Sequence, residues 1–364
     1  MARLCTRLHL LHVPPTQGAP MRTETPTNGR RLMIATALIA SGGLLAACSG
    51  GAPASTSTDA GAMEDLRLSL DWSTYVAYHA PFAVAEEQGI YEAHGLNVTE
   101  TLPGGSGDAL IEVGTNKTDI AWADLSTAAA SMLQGVPVTS VAKVQASNAS
   151  GLTVLEGTPL ESADDVRGMR IGSTPGGSDS TLVGAFLSAN GISEDEVQIV
   201  NLPANGKFAA LMTGEVDAIS GQVYFSVSNA RAQGQEASGL SYSELGLEML
   251  DHGFVSSDGY IESNPESITK FLDAYREALQ ITIDDPAAAC ETLVAKADGA
   301  LLQDDCESQL DLWLPLVTPT DDAEWGSNVP GEWESTVSIL KEHGDATGDR
   351  APDSMFTNDY LPAS

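Results

Sequence analysis

The chain has 364 residues and a mass of 37.9 kDa, with 17 Lys and Arg against 50 Asp and Glu, a formal net charge of −33. With 42% hydrophobic residues the composition is globular rather than disordered or coiled-coil, and at ~100–200 residues per domain the length suggests two cores. The acid excess repels phosphate backbones and excludes nucleic acid as a partner of the body of the chain, and a mean hydropathy of −0.05 argues against a polytopic membrane protein.

Arg30 and Arg31 precede an apolar run from Leu32 to Ala47 that ends in Leu45-Ala46-Ala47-Cys48. Such a run is too short to span a bilayer comfortably, and its basic start, apolar centre and small-residue end are those of a secretory signal. Cysteine directly after Leu-Ala-Ala resembles the lipobox of bacterial lipoproteins. That resemblance implies removal of residues 1–47, acylation of Cys48 and a mature chain anchored to the outer face of the bacterial cell membrane. Residues 48–63, rich in Ser, Thr, Gly and Ala, form the linker a tethered domain needs, and Met21 is a candidate true start. Loss of residues 1–47 removes five basic residues and one acidic, which leaves a net charge of −37. Cys5 goes with the signal and Cys48 is lipidated, so Cys290 and Cys306 remain. An exported compartment permits a bridge between them worth ~3 kcal/mol; two free buried thiols are the alternative.

Leu66 to Leu70 alternates apolar and polar residues and predicts a strand, followed by a helix from His79 to Gln88 that Gly89 stops. Leu96 to Leu102 is a second strand, ending in the glycine-rich turn Pro103 to Asp108, which opens a helix at Ala109. A strand at Asp119 to Ala123, with Asp124 and Ser126 as candidate N-caps, leads to a helix at Thr127 to Gln134 and a strand at Thr139 to Gln145. Arg170 to Ser173 runs into a second glycine turn, Thr174 to Ser180, and a helix through Leu187. Strand Val197 to Asn201, helix Phe208 to Thr213 and strand Asp217 to Ile219 follow. A 3.6-residue period returns over Pro265 to Ile283, and from there to about residue 345 the chain reads as mostly helical. This alternation gives an α/β fold with largely parallel sheets. Asn116 to Ile120 and Gly214 to Ala218 read as the same helix-to-strand turn, used once in each of two sheets.

A glycine-rich turn at a helix N-terminus offers unsatisfied N–H groups to an anion or a carbonyl-like oxygen. Gly104 to Asp108 and Gly176 to Ser180 both fit, and both also fit ordinary strand-to-helix turns. Enzymatic motifs are absent: Gly206-Lys207 lacks the spacing of a phosphate-binding loop, and no Gly-x-Ser-x-Gly elbow occurs. After the signal the four histidines, His79, His94, His252 and His343, show no metal-ligand spacing, and no cofactor motif is found. Trp72, Tyr75, Tyr78 and His79 crowd the turn after the first strand, where α/β sheets bind ligands.

Leu70-Asp71-Trp72, His79-Ala80-Pro81-Phe82 and the stretch Ala85 to Val98 resemble the N-terminal signature of the thiamine-pyrimidine (NMT1/THI5-like) substrate-binding proteins of ABC importers. The Pro103 to Asp108 turn, the Asp119 to Asp124 strand, Asn264-Pro265-Glu266 and Phe356 to Leu361 fit the same pattern, over roughly residues 65–362. The resemblance implies a two-lobed type II periplasmic-binding-protein fold with the ligand cleft between lobes joined by two crossovers. These are placed near residues 148–155 and 246–255, with lobe 1 at 64–148 plus 256–364 and lobe 2 at 155–245. Carried over by position, the expected ligand residues are Asp71, Trp72, His79, Gly105, Ser106, Asp124, Gln145, Gly177, Ser178, Asp179, Gln222 and Tyr224. Trp72 and Tyr224 would stack on a flat heterocycle, and Asp71 or Asp124 would accept from a ring amine.

Branches of this superfamily bind alkanesulfonates, taurine, nitrate, bicarbonate or riboflavin. No Arg lies in the loops named above, so the expected ligand is a heterocycle such as a thiamine pyrimidine precursor. The expected partners are that small molecule, an ABC permease and its ATPase, the chain acting as a monomer. The competing reading is an enzyme, since fungal pyrimidine synthases of this fold share the histidine-bearing N-terminal segment. Those synthases also carry a cysteine-rich motif that this chain lacks, and an exported sensor is the third reading.

Overall fold

The computed structural model describes residues 63–363, apart from 323, 344 and 345. The expected signal segment 1–47, the candidate start Met21, Cys48 and the linker up to residue 62 lie outside the described residues. In chain order the described strands are β1 (Glu64–Ser69), β2 (Leu96–Thr101), β3 (Ile120–Asp124), β4 (Val138–Lys143), β5 (Ser150–Leu155), β6 (Arg170–Ser173), β7 (Gln198–Asn201), β8 (Ala218–Gln222), β9 (Ala237–Ser241) and β10 (His252–Ser257).

They form two five-stranded sheets, ordered β2-β1-β3-β10-β4 and β7-β6-β8-β5-β9. In the first, β1 pairs in parallel with β2 and β3, whereas β10 is antiparallel to both β3 and β4. The second repeats the plan: β6 pairs in parallel with β7 and β8, and β5 is antiparallel to β8 and β9. The fourth place in each sheet is thus taken by the strand that arrives from the other lobe.

The chain passes between sheets at residues 144–149 and 242–251. Ser150–Leu155, expected within the first crossover, is a strand of the second sheet, and His252–Ser257, part of which was expected in the second crossover, is a strand of the first. Both are buried along their length but for Leu155, so neither shows the apolar–polar alternation that marks a half-exposed strand. Strand content rises accordingly, and the sheets are mixed rather than largely parallel.

The repeated helix-to-strand turn has a common physical basis. Asp119 accepts from Arg67 through its N–H, Nε (3.0 Å) and a terminal guanidinium nitrogen (2.6 Å), and Asp217 accepts the same three groups of Arg170. The turn before each Asp passes through the left-handed region, at Asn116 (φ 58°) and Gly214 (φ 69°). Each clasp fixes the first parallel strand of its sheet against the third.

Helices cover both faces of each sheet. The helix Pro265–Asp284 buries the stripe Ile268, Phe271, Leu272, Tyr275 and Leu279 against β10 and the helix Ala80–Glu87, where Phe82, Phe254 and Tyr275 meet edge to face or tilted. The helix Pro330–His343 packs on both Leu125–Leu133 and Ser178–Ala189, so one apolar cluster runs from lobe to lobe through the buried Trp333. No described helix is long and apolar enough to cross a membrane.

Cys290 and Cys306 form a disulfide joining the helices Pro286–Lys296 and Gln303–Trp313, and both cysteines are buried. A closed loop of this length contributes roughly 3 kcal/mol. Replacing both cysteines by Ala is expected to lower the midpoint of thermal unfolding by several degrees, read by calorimetry. An unchanged midpoint would mean that the bridge adds nothing to stability.

Candidate functional site

The turn after β1 carries Asp71 and Trp72 into the space between lobes, and Pro81 in the first turn of the helix Ala80–Glu87 starts that helix directly behind them. From the second lobe come the N-terminal turn of Ser178–Ala189, the helix Ala204–Met212 and the end of β8 with the helix Val223–Ala232. Together they enclose a cavity of about 60 Å³, lined by Asp71, Trp72, Tyr78, Ser178, Asp179, Lys207, Phe208, Gln222, Phe225, Ser226 and His252, among others. That volume is well below the ~300–1,000 Å³ of drug-sized sites.

A chain of buried charges backs the first-lobe wall. Asp71 accepts from the Tyr78 hydroxyl (3.1 Å), and its two oxygens lie 3.0 Å from His79 Nε2 and 2.7 Å from His252 Nε2. His252 Nδ1 is in turn bonded to Asp251, whose other oxygen accepts from the N–H of Ala149 in the opposite crossover (2.9 Å). Burial would push the Asp71 carboxyl up, but the His252 and His79 imidazoles outweigh it and hold the carboxyl well below its usual range. Burial likewise opposes charge on His252, and the carboxylates of Asp71 and Asp251 outweigh it, so this imidazole is held well above the usual histidine range. Asp124 differs: burial, and then the Asp251 charge, push it up to about 6.

The second-lobe wall carries a buried ion pair. Lys207 Nζ donates to Asp179 Oδ2 and to the Ser220 carbonyl, both at 2.6 Å, and lies 5.4 Å from the centre of the Trp72 ring. Asp179 Oδ2 also accepts from the N–H of Thr174 (2.8 Å), whereas Asp179 Oδ1 and Gln222 Oε1 are buried without a partner.

Of the residues expected from sequence, Asp71, Trp72, Ser178, Asp179 and Gln222 line this cavity. The others take different places. His79 is buried one layer behind, against Asp71. Ser106 Oγ accepts from the N–H of Asp124 (3.1 Å), and Asp124 caps the helix Leu125–Leu133 by accepting from Thr127 N–H (2.6 Å). Ser126, the other candidate cap, instead donates to the Leu250 carbonyl (2.6 Å). Gln145 accepts from Trp313 Nε1 (3.0 Å) and belongs to a separate cavity of about 380 Å³, lined by both crossovers and the start of Pro330–His343. Tyr224 is buried and borders a further cavity on another side of its helix.

Gly105 and Gly177 meet each other. The N–H of Gly107 donates across the lobes to the carbonyl of Gly176 (2.9 Å), so this donor of the first glycine turn joins the lobes. Lys207, Phe208, Phe225 and His252 line the cavity outside the expected ligand set, and so does Tyr78, from the crowded turn after β1.

The sequence model described as NMT1/THI5 like matches residues 76–289, more than half of the chain. This chain belongs to the NMT1/THI5-like family. Relatives within reach of it include the riboflavin-binding protein RibY of Chloroflexus aurantiacus, 26% identical over 82% of this chain and 87% of that protein. The 4-amino-5-hydroxymethyl-2-methylpyrimidine phosphate synthase of Schizosaccharomyces pombe is 24% identical over 78% of this chain and 82% of the synthase. Among solved structures, the alkanesulfonate-binding protein SsuA from Xanthomonas axonopodis pv. citri, bound to MOPS, superposes with a TM-score of 0.65 at 17% identity, over 80% of this chain and 98% of SsuA. The fold is therefore that of the periplasmic binding proteins, two α/β lobes with a cleft between them. Membership in the NMT1/THI5-like family spans both binding proteins and synthases by name, so the chemistry of this cavity has to be read from its own residues.

Proposed function

We propose that this chain is the extracytoplasmic substrate-binding lipoprotein of an ABC importer, lipid-anchored through Cys48. It captures a small heterocyclic nutrient resembling a thiamine pyrimidine precursor by closing its lobes, and delivers it as a monomer to a permease and its ATPase. The observation that carries this reading is the composition of the cavity. Rings of Trp72, Tyr78, Phe208 and Phe225 surround it, and its two unpartnered side-chain oxygens, Asp179 Oδ1 and Gln222 Oε1, are acceptors that complement ring or amino N–H groups. Among the described residues the cavity lining holds one lysine and no arginine, and that lysine is already paired with Asp179, which disfavours a free anion.

The names of relatives support capture of a small molecule: one binds riboflavin and another was found with MOPS. The synthase reading is weaker here, because the two cysteines of the described region are joined to each other and no cysteine-rich motif occurs. Riboflavin, a sulfonate or taurine, and nitrate are the alternative ligands on the same fold.

A thermal-shift screen of residues 49–364 with hydroxymethyl- and formylamino-pyrimidines, thiamine, riboflavin, taurine, alkanesulfonates and nitrate tests the reading. A ligand at 100 times its Kd adds ~2.7 kcal/mol, a rise of several degrees. A pyrimidine hit that Trp72→Ala weakens at least ~10-fold, about 1.4 kcal/mol, is the expected result. A response confined to taurine, sulfonates or nitrate overturns the heterocycle and keeps the fold.

A further inference from the structure

Asp124, Asp251 and His252 each offer a metal-ligating atom, and these atoms lie within 4.8 Å of one another, all three residues being buried. Antiparallel pairing of β10 with β3 sets His252 directly opposite Asp124, and Asp251 precedes it in the chain, so the backbone itself assembles the group. A separate observation points to a missing partner. Asp124 Oδ1 is taken by the N–H and hydroxyl of Thr127, but Oδ2, fully buried, has none. Three carboxylates, Asp71, Asp124 and Asp251, surround His252, and a buried carboxylate without a cation or proton is costly.

We propose that Asp124, Asp251 and His252 form a binding site for a divalent transition-metal ion, at the point where the second crossover enters the first sheet. Two carboxylates balance a divalent charge, and carboxylate with imidazole suits zinc. His252 ligates through Nδ1, because its Nε2 faces Asp71 at 2.7 Å, and a carboxylate on the far nitrogen is the usual support of a metal-bound histidine. The proton now between Nδ1 and Asp251 leaves to solvent as the ion enters. Three protein ligands leave a fourth position for water or for a group of a cleft ligand. The ion would also tie Asp251, which holds Ala149 of the first crossover, to the end of β3. The inference does not depend on what fills the cleft.

The test is titration of the full chain, stripped with chelator, with zinc chloride by calorimetry, and with cobalt(II) followed by visible absorption. Expected are one ion per chain, a binding enthalpy that varies with the ionisation enthalpy of the buffer because a proton is released, and a cobalt spectrum of a low-coordinate histidine site. Asp124→Asn keeps the oxygen that caps Thr127 and removes the charge, so it folds as the parent does by circular dichroism while its affinity falls roughly 10- to 100-fold or more. If Asp124→Asn misfolds, His252→Gln takes its place, with loss of the cobalt spectrum as the readout. Absence of stoichiometric zinc binding to the parent overturns the proposal, as does a folded Asp124→Asn that binds like the parent.

Discussion

Gly105→Val is expected to hold the lobes apart. A Cβ on Gly105 would lie 2.6 Å from the Gly177 Cα and 2.9 Å from the Gly176 carbonyl oxygen, and these are backbone atoms with no flexible end to move aside. The backbone at Gly105 is extended (φ 166°, ψ 177°), a conformation any residue adopts, so the first lobe itself keeps its fold. The cost therefore falls on the contact between lobes. Carbon atoms pack at about 3.5–4.0 Å, and relieving such an overlap by moving the second lobe also breaks the Gly107 to Gly176 hydrogen bond. At ~1.4 kcal/mol per tenfold, about 3 kcal/mol against the closed state lowers ligand affinity ~100-fold. Small-angle scattering should give a larger radius of gyration that ligand does not reduce, at an unfolding midpoint close to that of the parent. Gly184→Ala is the control, since a Cβ there meets nothing within 4 Å. A valine variant that contracts with ligand as the parent does would show that the glycine turns do not govern closure.

Lys207→Met should destabilise the second lobe strongly. Lys207 and Asp179 are almost wholly buried, so the substitution leaves a carboxylate out of water with one remaining partner, the N–H of Thr174. Breaking one side of such a pair costs ~3–5 kcal/mol, whereas replacing both by neutral groups is often nearly free. The midpoint of thermal unfolding should fall by roughly 6 °C or more. Adding Asp179→Asn should return most of that loss, and the double-mutant cycle gives the coupling directly. Because the ammonium sits over Trp72, tryptophan emission should shift in the single variant as well. A Lys207→Met protein as stable as the parent would remove the pair from any account of the lobe.

The sites that were legible in sequence are those whose partners are close in the chain. Asp124 reads as a helix cap because Thr127 is three residues on, and the repeated helix-to-strand turn shows within five residues, whereas the Arg67 and Arg170 clasps on it, 52 and 47 residues from their Asp partners, do not show. Asp71 reads as a candidate ligand residue and lines the cavity, but its oxygens also face His79 and His252, the latter 181 residues away, which no spacing reveals. Gly206-Lys207 lacks the spacing of a phosphate-binding loop, and the sequence offers Lys207 no other role, since its meaning depends on Asp179 and Trp72. Phe225 lines this cavity, whereas Tyr224, the expected stacking residue, borders another. Neighbours on a helix point about 100° apart, and Val223–Ala232 has apolar residues on more than one side, so its inward face could not be phased. The glycine turns are visible in the sequence, but an isolated turn gives no sign that a second one faces it.

The fourth place in the first sheet has a consequence for the order of assembly. β10 separates β3 from β4, yet His252 follows Lys143 by 109 residues, the stretch that makes up the second sheet. Until that stretch has been synthesised, β3 keeps one edge unpaired and β4 both, whereas the strands of the second sheet can find all their partners among themselves. Pairing across so long a loop is slow, and an open apolar edge invites association with another chain. The second lobe is thus placed to fold first as a contiguous unit, and the first lobe is completed by inserting the last strand of the chain, β10, between two that are already waiting. During that interval the sequence Ile-Ala-Trp-Ala of β3, ended by Asp124, is an apolar strand with one edge open.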